Sequence, residues 1–402
     1  MSPNSLLVAA GVVTAGTLAV LRKHTIDESK VYLLHAPQTA KMDDGMALLD
    51  IVNAECPSLA KGSTTARFVP TMALPTADLQ TCFSSVCERF GRQSIVEYER
   101  ELITTSDGGT IGLDWSPPFA QIPADERPIV LLSPGLSGGS QETYVQATVK
   151  RLTSEPYNFR TVVVNFRGCA GVKVTTPILY NGGLTSDYGF AVDHVHSRFP
   201  SSKLIGIGYS LGANLVTKYV GEQGTRCPLH AAVSVCNSYD LAASSDALET
   251  PTFRNQYIYT PAMLLGLMKL YRRHRKMIET GPVELDVDAI NRIASIRQFD
   301  DLITAKLFGY TSATDYYRQN SCAQFMPAIS IPFLAISAMD DPVCPEAIIP
   351  RETFRANPHL ILALTKYGGH LGYREDLSSP WFVRPIAEFC AATFRHSKGG
   401  SC

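Results

Sequence analysis

Residues 203–220 read KLIGIGYSLGANLVTKYV. The first half, through Tyr209, is an unbroken apolar and glycine run, the pattern of a strand buried on both faces. From Leu211 the spacing changes. Leu215, Val216 and Tyr219 recur at helical intervals, and Gly224 stands where a helix would stop. Between the two halves lies Gly208-Tyr209-Ser210-Leu211-Gly212, a GxSxG. A sharp strand-to-helix turn of this kind lifts a serine hydroxyl above the sheet edge. Its glycines let neighbouring backbone approach closely, and the helix start behind it favours developing negative charge. Ser210 is therefore the candidate nucleophile.

The pattern alone is weak evidence: at ordinary Gly and Ser frequencies, a chain this long meets it by chance about 0.14 times. A second match exists at Gly135-Leu136-Ser137-Gly138-Gly139. Context separates them. Ser210 has a strand immediately before it and a helix immediately after. Ser137 follows a strand, but a helix begins only some residues later, so it reads as part of a glycine-rich turn. Loops in that earlier position supply a second oxyanion donor in strand–elbow–helix enzymes. The backbone N–H groups of Leu136 and Leu211 are the expected oxyanion pair.

A nucleophilic serine needs a base and an orienting acid, which in this arrangement follow it in the chain. Histidines 230, 274, 359, 370 and 396 lie after Ser210. His370 alone sits just past the last apolar strand, in KYGGHLGY, where glycines free the loop to carry an imidazole over the sheet. The acid is sought at the end of the preceding strand, in Met339-Asp340-Asp341-Pro342. Asp341, four positions before Pro345, is favoured as the residue that orients His370, with Asp340 as the alternative.

Outward from the elbow, the chain alternates strands and helices. VEYERELI (96–103), SDGG (106–109) and TIGLDW (110–115) predict a hairpin. Apolar strands are predicted at 128–134, 161–168, 230–237, 331–338 and 359–367, and helices at 142–152, 188–199, 211–224 and 388–396. The fold class is α/β: a mostly parallel sheet with helices on both faces and an antiparallel hairpin at one edge. Residues 238–330 exceed one crossover and read as a helical cap insertion. They divide a core of 95–237 and 331–396. Residues 25–94 read as an N-terminal extension packed on that core.

The chain has 402 residues, 45% of them hydrophobic and 18% charged, which excludes disorder and collagen-like sequence. The net charge of −1 leaves no electrostatic footprint for nucleic acid. Ten cysteines carry no CxxC pair and no zinc spacing, as expected of thiols in a reducing compartment. Residues 6–21, LLVAAGVVTAGTLAVL, are free of charge and are followed by Arg22 and Lys23. About 24 Å of helix is short for a ~30 Å hydrocarbon core, yet snorkelling by the two basic residues makes a single span workable. Residues 1–24 are therefore expected to form a membrane anchor with the body on the cytoplasmic side, the endoplasmic reticulum being the expected membrane. A cleaved signal peptide, which would want a basic start, and a buried helix are the rivals.

PGLSGGS (134–140), NFRGCAGVKVTTPILY (165–180), GYSLGANLV (208–216), SAMDDP (337–342) and YGGHLGY (367–373) together resemble the AB hydrolase 4 family of α/β-hydrolases. That family includes the α/β-hydrolase domain-containing lipases and fungal medium-chain ethyl ester synthase/esterases. The likeness spans about residues 95–395. It implies an α/β-hydrolase fold, a membrane anchor, and hydrolysis of lipid esters: phospholipid, monoacylglycerol or medium-chain acyl esters. It carries the catalytic triad onto Ser210, Asp341 and His370, with no cofactor or metal. Pro134 departs from the pattern, since many relatives carry histidine there. Acyl transfer to an alcohol is the alternative outcome of the same chemistry. A non-catalytic scaffold is disfavoured by the intact triad, and epoxide chemistry by serine at the elbow. Oligomeric state is left open.

Arg167 is expected in a buried ion pair that fixes its loop. His194 and His196, two apart on a predicted helix, do not share a face and are poor metal ligands. In the cap, TPAMLLGLM (260–268) suits an acyl pocket or simple packing. The basic stretch MKLYRRHRK (268–276) suits a solvated face or contact with anionic headgroups.

Overall fold

A computed structural model describes residues 25–85, 95–119 and 126–397. The apolar segment 6–21 lies outside the described residues. Among those described, no helix is long and apolar enough to cross a membrane.

Among the described residues, nine strands form one sheet: β1 (Tyr32–His35), β2 (Glu99–Thr104), β3 (Thr110–Ser116), β4 (Ile129–Ser133), β5 (Arg160–Asn165), β6 (Leu204–Tyr209), β7 (Ala231–Val235), β8 (Phe333–Ala338) and β9 (Leu360–Thr365). Their spatial order is β1-β9-β8-β7-β6-β4-β5-β3-β2. β4 through β9 pair in parallel. Every residue of these six strands is buried, which is why their sequences are continuous apolar runs rather than alternating ones. The hairpin β2–β3 lies antiparallel at one edge, as its alternation and glycine turn require. Its outer strand carries Glu99, Arg100 and Glu101, charges that protect an open edge from further pairing.

The longer helices are α1 (Leu48–Glu55), α2 (Ala77–Ser85), α3 (Thr143–Thr153), α4 (Thr185–Arg198), α5 (Leu211–Gln223), α6 (Leu241–Glu249), α7 (Thr260–Ile278), α8 (Ala313–Asn320) and α9 (Val383–Arg395). Alternate strand residues feed two apolar layers. Ile129 and Leu131 face the layer that holds Tyr188 and Val192 of α4 and Leu215 and Tyr219 of α5. Val130 and Leu132 face the other, with Val145 and Val149 of α3 and Ile386 and Phe389 of α9. α9 begins earlier than its apolar spacing suggests. Pro385 lies in its first turn, where a missing N–H costs no intrahelical bond.

The N-terminal extension is part of this framework. β1 pairs antiparallel with β9 and closes the edge opposite the hairpin, and Leu48, Ile51 and Val52 of α1 enter the α3/α9 layer. Between β7 and β8 the chain runs through α6, α7 and α8 with short helical turns between them, and residues of all three helices line the space at Ser210.

Candidate active site

β6 ends at Tyr209, α5 begins at Leu211, and Ser210 between them adopts φ 53° and ψ −120°. A non-glycine residue holds such a conformation only when its surroundings impose it. The two flanking glycines show how. A Cβ on Gly208 would lie 2.4 Å from the carbonyl oxygen of Gly212, and one on Gly212 would lie 2.3 Å from that of Pro134. The Ser210 N–H donates to the carbonyl of Val235 at 2.9 Å, which ties the turn to β7.

Ser210 Oγ lies 2.8 Å from Nε2 of His370. On the far side of the ring, Nδ1 lies 2.9 and 3.1 Å from the two carboxylate oxygens of Asp341. Ser210 and Asp341 are 8% and 6% exposed, so the three groups meet in a nearly dry setting. Asp341 is itself held, because its Oδ1 accepts the N–H groups of Val343 and Cys344, both at 2.8 Å. Burial lowers the basicity of the His370 ring, but the Asp341 carboxylate outweighs it and leaves the imidazole more basic than an ordinary histidine.

The alternative acid, Asp340, points elsewhere. It accepts the N–H of Gly369 at 2.9 Å and so holds the histidine loop rather than the ring. The other later histidines lie apart from this site: His230 bonds to the carbonyl of Thr393, and His396 pairs with Asp44 and Glu55.

The 134–140 loop lies against Ser210, since a Cβ on Gly135 would be 3.3 Å from that of Ser210. It is pinned at both ends. The Gly135 N–H donates to the Tyr144 hydroxyl at 3.0 Å, the Ser137 N–H to the Tyr180 hydroxyl, and the Ser140 N–H to Asn165 Oδ1 at 3.0 Å. Ser137, the second GxSxG serine, is thereby a turn residue with φ 53°. Among the described residues, the amides of Leu136 and Leu211 make no hydrogen bond.

Several supports carried no sequence signal. The His370 N–H donates to Thr81 Oγ1 of α2 at 2.8 Å, and the Leu371 N–H to the Cys236 sulfur at 3.3 Å. Of the groups that pin the 134–140 loop, Asn165 and Tyr180 lie at the two ends of the NFRG…ILY stretch. Among the described residues, Cys236, Asp341 and His370 are the one grouping with metal-ligand character, their ligand atoms within 4.8 Å of one another. Burial keeps the Cys236 thiol well above the ordinary cysteine range, hence protonated, and the Asp341 and His370 atoms already bond each other. That donor set fits a hydrogen-bonded relay better than a cation. His194 bonds Glu101 at 2.9 Å rather than pairing with His196.

Arg167 sits in the expected buried ion pair. Its guanidinium binds Asp187 of α4 through two bonds of 2.7 Å and Asp107 of the hairpin turn at 2.7 and 2.9 Å. Gly109 makes room for it, because a Cβ there would come within 2.4 Å of the guanidinium. This fixes the hairpin turn, β5 and α4 to one another below the loop that carries Cys169.

A narrow, mainly apolar cavity of about 100 Å³ opens on Ser210. Leu136 and Leu211 line it, together with Leu248, Leu267, Ile303 and Leu307 from the segment between β7 and β8.

The sequence profile of the alpha/beta hydrolase fold matches residues 128–376. A monoacylglycerol lipase of Saccharomyces cerevisiae is 31% identical over 379 residues, which cover 85% of this chain and 83% of that protein. Phospholipase ABHD3 of Bos taurus is 36% identical over 308 residues, covering 75% and 73%. Among solved structures, the esterase Pf2001 of Pyrococcus furiosus aligns at 14% identity and a TM-score of 0.46 over 73% of this chain and 92% of its own. The profile spans more than half of the sequence and the bovine relative exceeds a third in identity, so the chain belongs to the α/β hydrolase fold family.

Proposed function

We propose that this chain is a serine hydrolase that cleaves carboxylic esters of lipids through an acyl-enzyme on Ser210. The observation that carries this reading is the 2.8 Å contact between Ser210 Oγ and His370 Nε2 at the mouth of an apolar cavity. His370 takes the proton from the Ser210 hydroxyl as Oγ attacks the ester carbonyl. Asp341 holds the ring in the tautomer with Nε2 facing the serine and stabilises the imidazolium without taking its proton. The oxyanion is held by the amides of Leu136 and Leu211. His370 then passes its proton to the departing alkoxide, which leaves as an alcohol. In the second half a water loses its proton to His370 and attacks the acyl-enzyme. The acid departs, and Ser210 recovers its proton.

The acyl chain occupies the cavity beneath the cap, whose leucine and isoleucine walls suit an alkyl chain. The Saccharomyces relative is called a monoacylglycerol lipase and the bovine relative a phospholipase, and a lipid acyl ester is the class that spans both names. In this reading residues 6–21 anchor the chain in the membrane that presents the substrate, with Arg22 and Lys23 at the interface.

The test is a panel of monoacylglycerols, phosphatidylcholines and simple acyl esters of graded chain length, assayed with wild type and Ser210→Ala. Wild type should release fatty acid. The variant should lose about a million-fold in kcat, as expected when the nucleophile of a triad is removed. Fatty-acid release that persists in the variant would contradict the assignment.

A further inference from the structure

A second cavity, of about 570 Å³, lies on the other side of the 134–140 loop from the apolar one. Leu136 lines the apolar cavity and its neighbour Ser137 lines this one, while Leu270 of α7 borders both. α7 packs directly on the loop, since a Cβ on Gly266 would lie 2.6 Å from Ser137 Oγ. Gly266, Lys269, Leu270 and Arg273 all line this second cavity. Their spacing of three, four and seven residues puts them on one face of the helix. The basic stretch of the cap is thus aimed, in part, at a defined space beside the nucleophile.

The chemistry of this space differs from that of its neighbour. Among the described residues its charged lining is Lys269, Arg273 and Arg374 against one carboxylate, Glu142. Arg374 is 1% exposed, so one of the cations is built into the wall. Lys269 and Arg273 are exposed and make no ion pair among the described residues. Two hydroxyls on the lining, Ser84 Oγ and Thr143 Oγ1, are shielded from solvent and have no hydrogen-bond partner among the described residues. Cations that gain charge-assisted bonds, together with unfilled hydroxyls, are what a phosphate group requires.

We propose that this cavity binds the phosphate of a glycerophospholipid, held by Lys269, Arg273 and Arg374 with Ser84 and Thr143, while the acyl chain lies in the apolar cavity. The inference rests on the ester-hydrolase reading, because it orients one substrate across two cavities that flank the 135–137 turn. The phosphate is either the substrate's own or that of a lipid beside it in the membrane.

The experiment compares the full chain with the double variant Lys269→Gln/Arg273→Gln and the charge-preserving Lys269→Arg/Arg273→Lys. One arm measures kcat/KM for monomeric short-chain phosphatidylcholine and for a neutral monoacylglycerol of equal acyl length. The expected result is a fall of about tenfold or more in the phospholipid-to-neutral ratio for the Gln variant, and a largely retained ratio for the charge-preserving one. A second arm presents the neutral ester in neutral-detergent micelles with and without phosphatidylglycerol. A stimulation by phosphatidylglycerol that the Gln variant lacks assigns the phosphate to a neighbouring lipid, whereas a loss confined to the first arm assigns it to the substrate. A third measurement reads the site without catalysis: sn-glycerol 3-phosphate should bind wild type at least about tenfold tighter than the Gln variant by calorimetry. Equal ratios, equal stimulation and equal binding in wild type and Gln variant overturn the proposal. So does an equal loss on every substrate shared by the charge-preserving variant, which marks a structural role. Phosphate binding by a wild type that hydrolyses no ester would instead count against the ester-hydrolase reading alone.

Discussion

Two adjacent carboxylates in one loop do different work. Asp341 faces the ring of His370 and Asp340 faces the amide of Gly369. Asp341→Asn keeps the shape but presents the ring with the wrong partner, and kcat should fall about 10,000-fold. Because the carboxylate raises the basicity of His370, and the reaction needs the neutral ring, the residual activity of the variant should decline at a lower pH on the acid side than that of wild type. A pH–rate profile of both proteins checks this, and an unshifted acid limb would contradict it. Asp340 affects stability instead. Burial lifts its carboxyl to about 6, although the Gly369 amide pulls the other way. The unfolded chain ionises it near 3.9. Between those values the folded state holds the proton and the unfolded state does not, so its contribution falls as pH rises through the window. Asp340→Asn retains an acceptor for Gly369 and removes that penalty. Its Tm should match or exceed wild type at pH 7, and the gain should close at pH 4. An equal loss of Tm at both values would rule out this account.

At the scale of elements, the elbow depends on parts far from it in sequence. Arg167 joins the β2–β3 turn to α4 through Asp107 and Asp187, with side chains of Arg167 and Asp187 only 3% and 2% exposed. Arg167→Ala leaves a buried carboxylate unpaired and should cost about 3–5 kcal/mol, measured by urea denaturation. A loss below about 1 kcal/mol would mean that Asp187 finds water. This pair was legible from NFRG because an arginine at the end of an all-apolar strand must find a counter-charge. The parallel strands were legible for a related reason: burial on both faces writes itself as an unbroken apolar run. β1 was not. Its four residues, YLLH, carry no alternation of length enough to read, and their pairing with β9 is set by the partner. Thr81 was equally silent, since its bond to the His370 amide joins residues 289 apart.

For the whole molecule, sequence order and spatial order converge on one end of the sheet. β6, β8 and β9 release Ser210, Asp341 and His370 from their C-terminal ends. Order and spacing singled out those three residues as candidates, because glycine, proline and strand ends mark loops, and the fold brings their side chains within hydrogen-bond distance. Of the two cavities only one wall of the apolar one was legible, in the 260–268 stretch that supplies Met263 and Leu267, since the remaining walls come from α6, the 296–308 turns and the 134–140 loop, which meet only in the fold. Catalysis depends on which serine is activated, and two GxSxG serines, Ser137 and Ser210, compete. A fluorophosphonate probe followed by peptide mapping decides between them directly. The adduct should lie on Ser210 and vanish in Ser210→Ala, with Ser137 unmodified. An adduct on Ser137, or a folded wild type that takes up no probe even with lipid micelles present, would contradict the account.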